Sequence, residues 1–123
     1  MPTSYQIFQD RGLVEVTTRG EIDLGETVQA MEQMFDDPEY SPEYDLLWDA
    51  SGIANMLTLD DMQELMKHFR FYQGEKSPRR AIVVSRAVKF AMSRVFHTLS
   101  AVSSHTRIGL FEDVGEAFRW LKK

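Results

Sequence analysis

The sequence predicts one α/β domain spanning residues 1–123, a mixed five-stranded sheet with four helices in the order β-β-α-β-α-β-α-β-α. Three observations carry this reading. Two short alternating runs open the chain around a glycine turn. Two apolar stretches, Leu46-Leu47-Trp48 and Ala81-Ile82-Val83-Val84, suit parallel strands covered on both faces. Between and after them lie segments with helical apolar spacing, each opened by a capping residue. Parallel strands joined through right-handed crossovers, led by one antiparallel hairpin, are the economical architecture. At 123 residues the chain is long enough to bury roughly two-thirds of its unfolded surface without metals or disulfides.

Taken in order, Ser4 to Gln9 and Leu13 to Arg19 alternate apolar and polar residues about Asp10-Arg11-Gly12, where glycine can take positive φ, and predict a β-hairpin. Asp23 with Glu26 predicts a capped helix whose inward face is Leu24, Val28, Met31 and Phe35. The acidic, proline-containing stretch 36–42 predicts a loop. Asp45 to Trp48 predicts a short buried strand that Asp49-Ala50-Ser51-Gly52 stops with turn formers. Thr58 with Asp61 opens a second helix with Met62, Leu65, Met66, Phe69 and Tyr72 on its apolar stripe. Arg80 to Ser85 predicts the fourth strand. Ser85 then caps a helix with Val88, Met92, Val95, Leu99 and Val102 turned inward. Thr106 to Phe111 predicts the fifth strand, and Asp113 with Glu116 caps a last helix that buries Val114, Ala117, Phe118 and Leu121.

Charge divides the chain. The net value is −5, which argues against nucleic acid as a partner of the whole molecule. Residues 1–66 nevertheless hold fifteen Asp or Glu against Arg11 and Arg19, whereas residues 67–123 hold twelve Lys or Arg against four acids. Two copies could set these unlike halves together twice about a two-fold axis, so a homodimer is expected. With no cysteine, no basic and apolar leader-like start and no apolar run near the ~20 residues of a membrane span, a cytoplasmic protein without a transmembrane segment is expected.

Several strings are similar to the STAS domain, the anti-sigma-factor antagonist module, and especially to its SpoIIAA-like bacterial relatives. They are LLWDASGI at 46–53, RRAIVVS at 79–85 followed by KFAMSRVF, and RIGLFEDVGEAFRWL at 107–121. The resemblance covers most of the chain from Leu13 and implies a non-enzymatic binding or regulatory domain, switched in some members by phosphorylation of a serine at the helix start after the central strand. Here that place reads Thr58-Leu59-Asp60-Asp61. Thr58 alone can take such a role, beside two carboxylates that oppose an added phosphate. The related lipid-transfer architecture keeps an apolar ligand in view as analogy.

Other chemistry finds little support. Ser51 lacks a G-x-S-x-G elbow, and His68, His97 and His105 have neither triad nor zinc spacing, so no catalytic residue, metal or cofactor is expected. Asp49 suits an Asx-turn better than a ligand contact, and the methionines fall on core stripes. The remaining candidate is an anion site where parallel strands end and helices begin. Its expected residues are Asp49, Ser51, Gly52, Thr58, Ser85, Arg86 and Lys89, with Arg86 and Lys89 supplying charge and Asp49 orienting a hydroxyl or water. The expected ligand is a small anion or an acidic protein partner; the alternative is a lipid or other apolar ligand with an anionic headgroup, held between Met- and Phe-rich helices.

Overall fold

Strand β1 (Thr3–Phe8) returns antiparallel as β2 (Leu13–Gly20), in a register running from Phe8 opposite Leu13 to Thr3 opposite Thr18. The connection is one 3-10 turn, Gln9–Arg11, closed by Gly12 at φ 59°, a left-handed conformation that glycine adopts without a side-chain penalty. The computed structural model describes residues 3–54, 58, 60–61, 64, 78–90 and 107–122. Strands β3 (Asp45–Ile53), β4 (Arg79–Val83) and β5 (Arg107–Phe111) follow parallel to β2, and the five strands lie side by side in sequential order. The expected mixed sheet with one leading antiparallel hairpin is therefore present.

Sequential parallel order has a consequence. Right-handed crossovers between neighbours all leave toward the same face of the sheet. On that face helix α1 (Leu24–Phe35) packs Met31, Met34 and Phe35 against Val14, Val16, Leu46 and Trp48, and Val88 joins the same cluster. The opposite face holds Leu13, Leu47, Ala81 and Val83 and is covered by helix α2 (Val114–Leu121), through Ala117 with Val114, Phe118, Trp120 and Leu121. Both faces are thus dry at Leu46-Leu47-Trp48 of β3 and Ala81-Ile82-Val83 of β4, which is why these stretches are apolar without alternation. Arg79 ties α2 down: its Nη1 donates to the Trp120 carbonyl and its guanidinium lies 5.6 Å from the Trp120 ring centroid.

The caps are where the sequence places them. Asp23 Oδ1 accepts from the N–H groups of Gly25 and Glu26, and Asp113 Oδ2 accepts from Glu116 N. Three expectations need correction. The buried face of α1 is Thr27, Ala30, Met31, Met34 and Phe35, with Leu24 and Val28 only partly buried, so the helix is rotated from the expected stripe. Thr27 can face inward because its Oγ1 donates to the Asp23 carbonyl. β4 runs Arg79–Val83 rather than Arg80 to Ser85, and it buries a charge: Arg80 is 1% exposed, in register with Leu46, and its Nη2 donates to Tyr40 Oη at 3.5 Å.

The third correction concerns the central strand. β3 does not stop at Trp48 but continues through Asp49-Ala50-Ser51-Gly52 to Ile53, because β2 runs on beside it to Gly20 and pairs Arg19 with Gly52 and Gly20 with Ile53. From Thr17/Asp49 to Arg19/Gly52, β3 advances by one residue more than β2, a bulge of the kind that re-aims side chains near a strand end. The turn-forming residues make a bulge rather than a loop. Of the two middle helices, residues 60–61, 64 and 86–90 are helical. Their remaining expected stripe residues (Met62, Leu65, Met66, Phe69, Tyr72, Met92, Val95, Leu99, Val102) and His68, Arg94, His97, His105 and Thr106 lie outside the described residues.

Candidate functional site

The parallel register aligns Asp49 with Val83 and Val83 with Phe111, so β4 and β5 end at one rim level with Asp49, while β3 runs four residues farther to Ile53. Val84 N extends the ladder by donating to the Phe111 carbonyl at 2.9 Å. The chain leaving β4 there carries Ser85, Arg86 and Lys89, and the chain leaving β5 carries Glu112 and Asp113. Asp49 and the β4 exit are accordingly at the same level, whereas Ser51 and Gly52 lie on the part of β3 that runs past it beside β2.

Their chemistry matches the Asx bond expected of Asp49 and differs from expectation in two other ways. Asp49 Oδ1 accepts from Ser51 N at 3.1 Å and from Ser51 Oγ at 2.6 Å, so this pair is spent on the bulge itself. A Cβ on Gly52 would sit 3.2 Å from Arg19 Cγ; Arg19, absent from the expected set, lies over this glycine. Most important, Lys89 Nζ is 3.7 Å from Glu112 Oε2 and Arg86 Nε is 4.0 Å from Glu112 Oε1. One carboxylate thus offsets part of a field expected to be cationic. Sequence reasoning missed Glu112 because it is remote in the chain. Only the pairing of β5 with β4 reveals it.

The offset is partial. Arg86 has 94% of its side chain exposed, and a pair at 4.0 Å in water contributes at most about 1 kcal/mol. Four residues on, one helical turn away, Phe90 is 74% exposed. Arg and Phe, spaced here at i and i+4 after a strand end, are residue types enriched at protein interfaces. Ser85 performs its expected local role: its Oγ accepts from Val88 N at 3.4 Å and its carbonyl accepts from Lys89 N at 2.8 Å. Thr58 is likewise engaged in a reciprocal cap, Asp61 N donating to Thr58 Oγ1 at 3.1 Å and Thr58 N to Asp61 Oδ2 at 3.4 Å. A phosphate on Thr58 would displace that bond and face the carboxylate.

Topology also shapes the rim. Open sheets form ligand crevices where strand order reverses and adjacent loops part to opposite faces. Here the parallel strands are in sequential order. Among the described residues, then, strand order supplies no such crevice at this rim. A larger concavity, about 610 Å³, lies at the opposite rim, where Arg11, Leu13, Asp45, Phe118, Leu121 and Lys122 meet. Between α1 and the sheet there is room for about 10 Å³ only, lined by Val16, Met31, Met34, Leu46 and Trp48, so Met31 and Met34 fill core rather than line a ligand pocket.

Fold and rim together define a class: a mixed α/β domain, sequentially wound, presenting a charged and aromatic surface at its strand ends. Its architecture is SpoIIAA-like. The structure is similar to the crystal structure of an uncharacterized DUF3478-family protein with a SpoIIAA-like fold from Shewanella loihica PV-4, with a TM-score of 0.59 and 21% sequence identity over 97% of this chain and 91% of that one. No family model matches the sequence, and no curated protein matches it. Among the described residues no helix is long and apolar enough to cross a membrane.

Proposed function

We propose that this chain is a non-enzymatic binding and regulatory domain that works in the cytoplasm by protein contact at the carboxyl rim of β3, β4 and β5. The observation that carries the reading is the exposed pair Arg86 and Phe90 on one face of the segment leaving β4. A partner of matching chemistry offers a carboxylate to Arg86, competing with the distant Glu112, and an apolar pocket to Phe90. Protein contact is favoured over a free small anion because strand order supplies no crevice among the described residues and Asp49 and Ser51 are bonded to each other. Lys89 and Glu112 then form the polar border of the contact.

The test compares capture of partners from the host by wild type, Arg86→Glu and Phe90→Ala, followed by salt titration of the captured species. Both variants should lose the same partner, and binding through Arg86 should weaken with salt. A partner retained equally by both variants rules the rim out. The second reading, a carrier of an anionic apolar ligand, is favoured by the concavity at the other rim, whose volume is in the range of small-molecule sites and whose lining combines Leu13, Phe118 and Leu121 with Arg11 and Lys122. Native mass spectrometry of protein purified from its host decides between them: a co-purifying acyl chain supports the carrier.

A further inference from the structure

We propose that two copies of this chain join through β1, edge to edge about a two-fold axis, so that the two sheets become one. This goes beyond the rim contact and does not depend on it. β1 ends the sheet, with β2 as its strand neighbour. Among the described residues no strand pairs with its outer side, which runs over Thr3–Phe8, about 20 Å at the usual ~3.3 Å rise per residue.

Edge strands are ordinarily protected against such pairing by lysine, proline, a bulge or an inward charge. β1, reading TSYQIF, has none of these, and its pairing with β2 is unbroken from Thr3 to Phe8. Threonine, tyrosine, isoleucine and phenylalanine are good strand formers. The strand is also held firmly before any partner arrives. Thr3 Oγ1 lies 2.9 Å from Thr18 Oγ1, and Tyr5 Oη donates to Asp37 Oδ2 at 2.8 Å.

The occupant is a second copy because a two-fold axis through an antiparallel pair satisfies both backbones with the same strand. Since no residue of β1 is charged, every register of self-pairing is free of like-charge contact. The other sheet edge is less suited. β5 begins with Arg107 and has Gly109 at its middle, where no side chain supports cross-strand packing. Pairing through β1 also differs from apposition of the acidic and basic halves: backbone hydrogen bonds and apolar contacts survive salt, whereas unlike charges are screened.

The chain has no cysteine, so a single introduced thiol reports position cleanly. Gln6 is exposed and sits opposite Glu15. A nitroxide on Gln6→Cys should show strong dipolar broadening from its copy, because antiparallel pairing of a six-residue strand keeps the labels within about 20 Å. The same label on Glu116→Cys, in α2 over β3 to β5, should not, being several strands of ~4.8 Å away from the axis on each copy. Sedimentation of the unlabelled full chain should give a dimer that persists in high salt, and Gln6→Lys should weaken it up to about fivefold by setting like charges on adjacent strands. A monomer across the micromolar to sub-millimolar range overturns the proposal. So does a dimer without broadening at position 6, or one that dissolves in salt and ignores Gln6→Lys.

Discussion

Thr18→Val provides the sharpest test of the core. The Thr18 hydroxyl is fully buried where β1, β2 and β3 meet: Trp48 Nε1 donates to its oxygen at 2.9 Å, and Thr3 Oγ1 lies 2.9 Å away. Valine keeps the branched shape of threonine but offers no lone pair, so the indole N–H loses its acceptor in a dry site. Leaving one buried donor without this bond costs about 1–3 kcal/mol, and the Thr3 hydroxyl, 7% exposed, adds less. The expected loss is about 2 kcal/mol. With a urea slope of roughly 1–3 kcal/mol per molar, the unfolding midpoint should fall by about 1 M. Repeating the substitution in a Trp48→Phe background isolates the bond. Without an indole N–H, Thr18→Val should become cheaper by about 1–2 kcal/mol. Equal losses in both backgrounds would refute the reasoning, because the effect would then come from shape and not from the hydrogen bond.

Three further outcomes follow from local geometry. Asp23→Ala removes an acceptor shared by Gly25 N and Glu26 N and should lower stability by about 1 kcal/mol in urea unfolding, with Asp23→Asn restoring most of it. Gly109→Ala places a Cβ 2.8 Å from Phe111 Cε2, while Trp120 stands 5.4 Å from the Phe111 ring centre and limits its retreat; overpacking should cost roughly 1–3 kcal/mol, and a neutral result would show that Phe111 moves freely. Burial, the hydrogen bond to Asp37 and the charges of Asp37 and Glu39 raise the Tyr5 pKa above its ordinary 10.0. The folded state therefore holds this proton more tightly than the unfolded chain. Its contribution is complete below pH 10.0 and is lost as pH rises through the folded value, so the urea midpoint should fall above that pH in wild type and fall less in Tyr5→Phe.

Features governed by a few neighbouring residues were legible in the sequence. Alternation in LVEVTT predicts a half-buried strand, the turn before Leu13 calls for a glycine that can adopt φ 59°, and Asp23, Ser85 and Asp113 announce helix starts because each caps a backbone group two or three residues away. What depended on distant neighbours was not. Asp49-Ala50-Ser51-Gly52 has the composition of a turn, yet lies in β3 because β2 continues beside it and supplies backbone partners. The Lys76–Arg107 tract contains no acid, yet Arg86 and Lys89 meet Glu112, which follows β5 and reaches them only because β5 pairs with β4. Likewise the face that α1 buries is set by the sheet below it, which takes Met34 and Ala30 in preference to Leu24 and Val28. A capping bond needs only the residues within one turn. Strand extent, charge pairing and helix rotation are fixed by the elements that the fold sets alongside, and these lie tens of residues away in the chain.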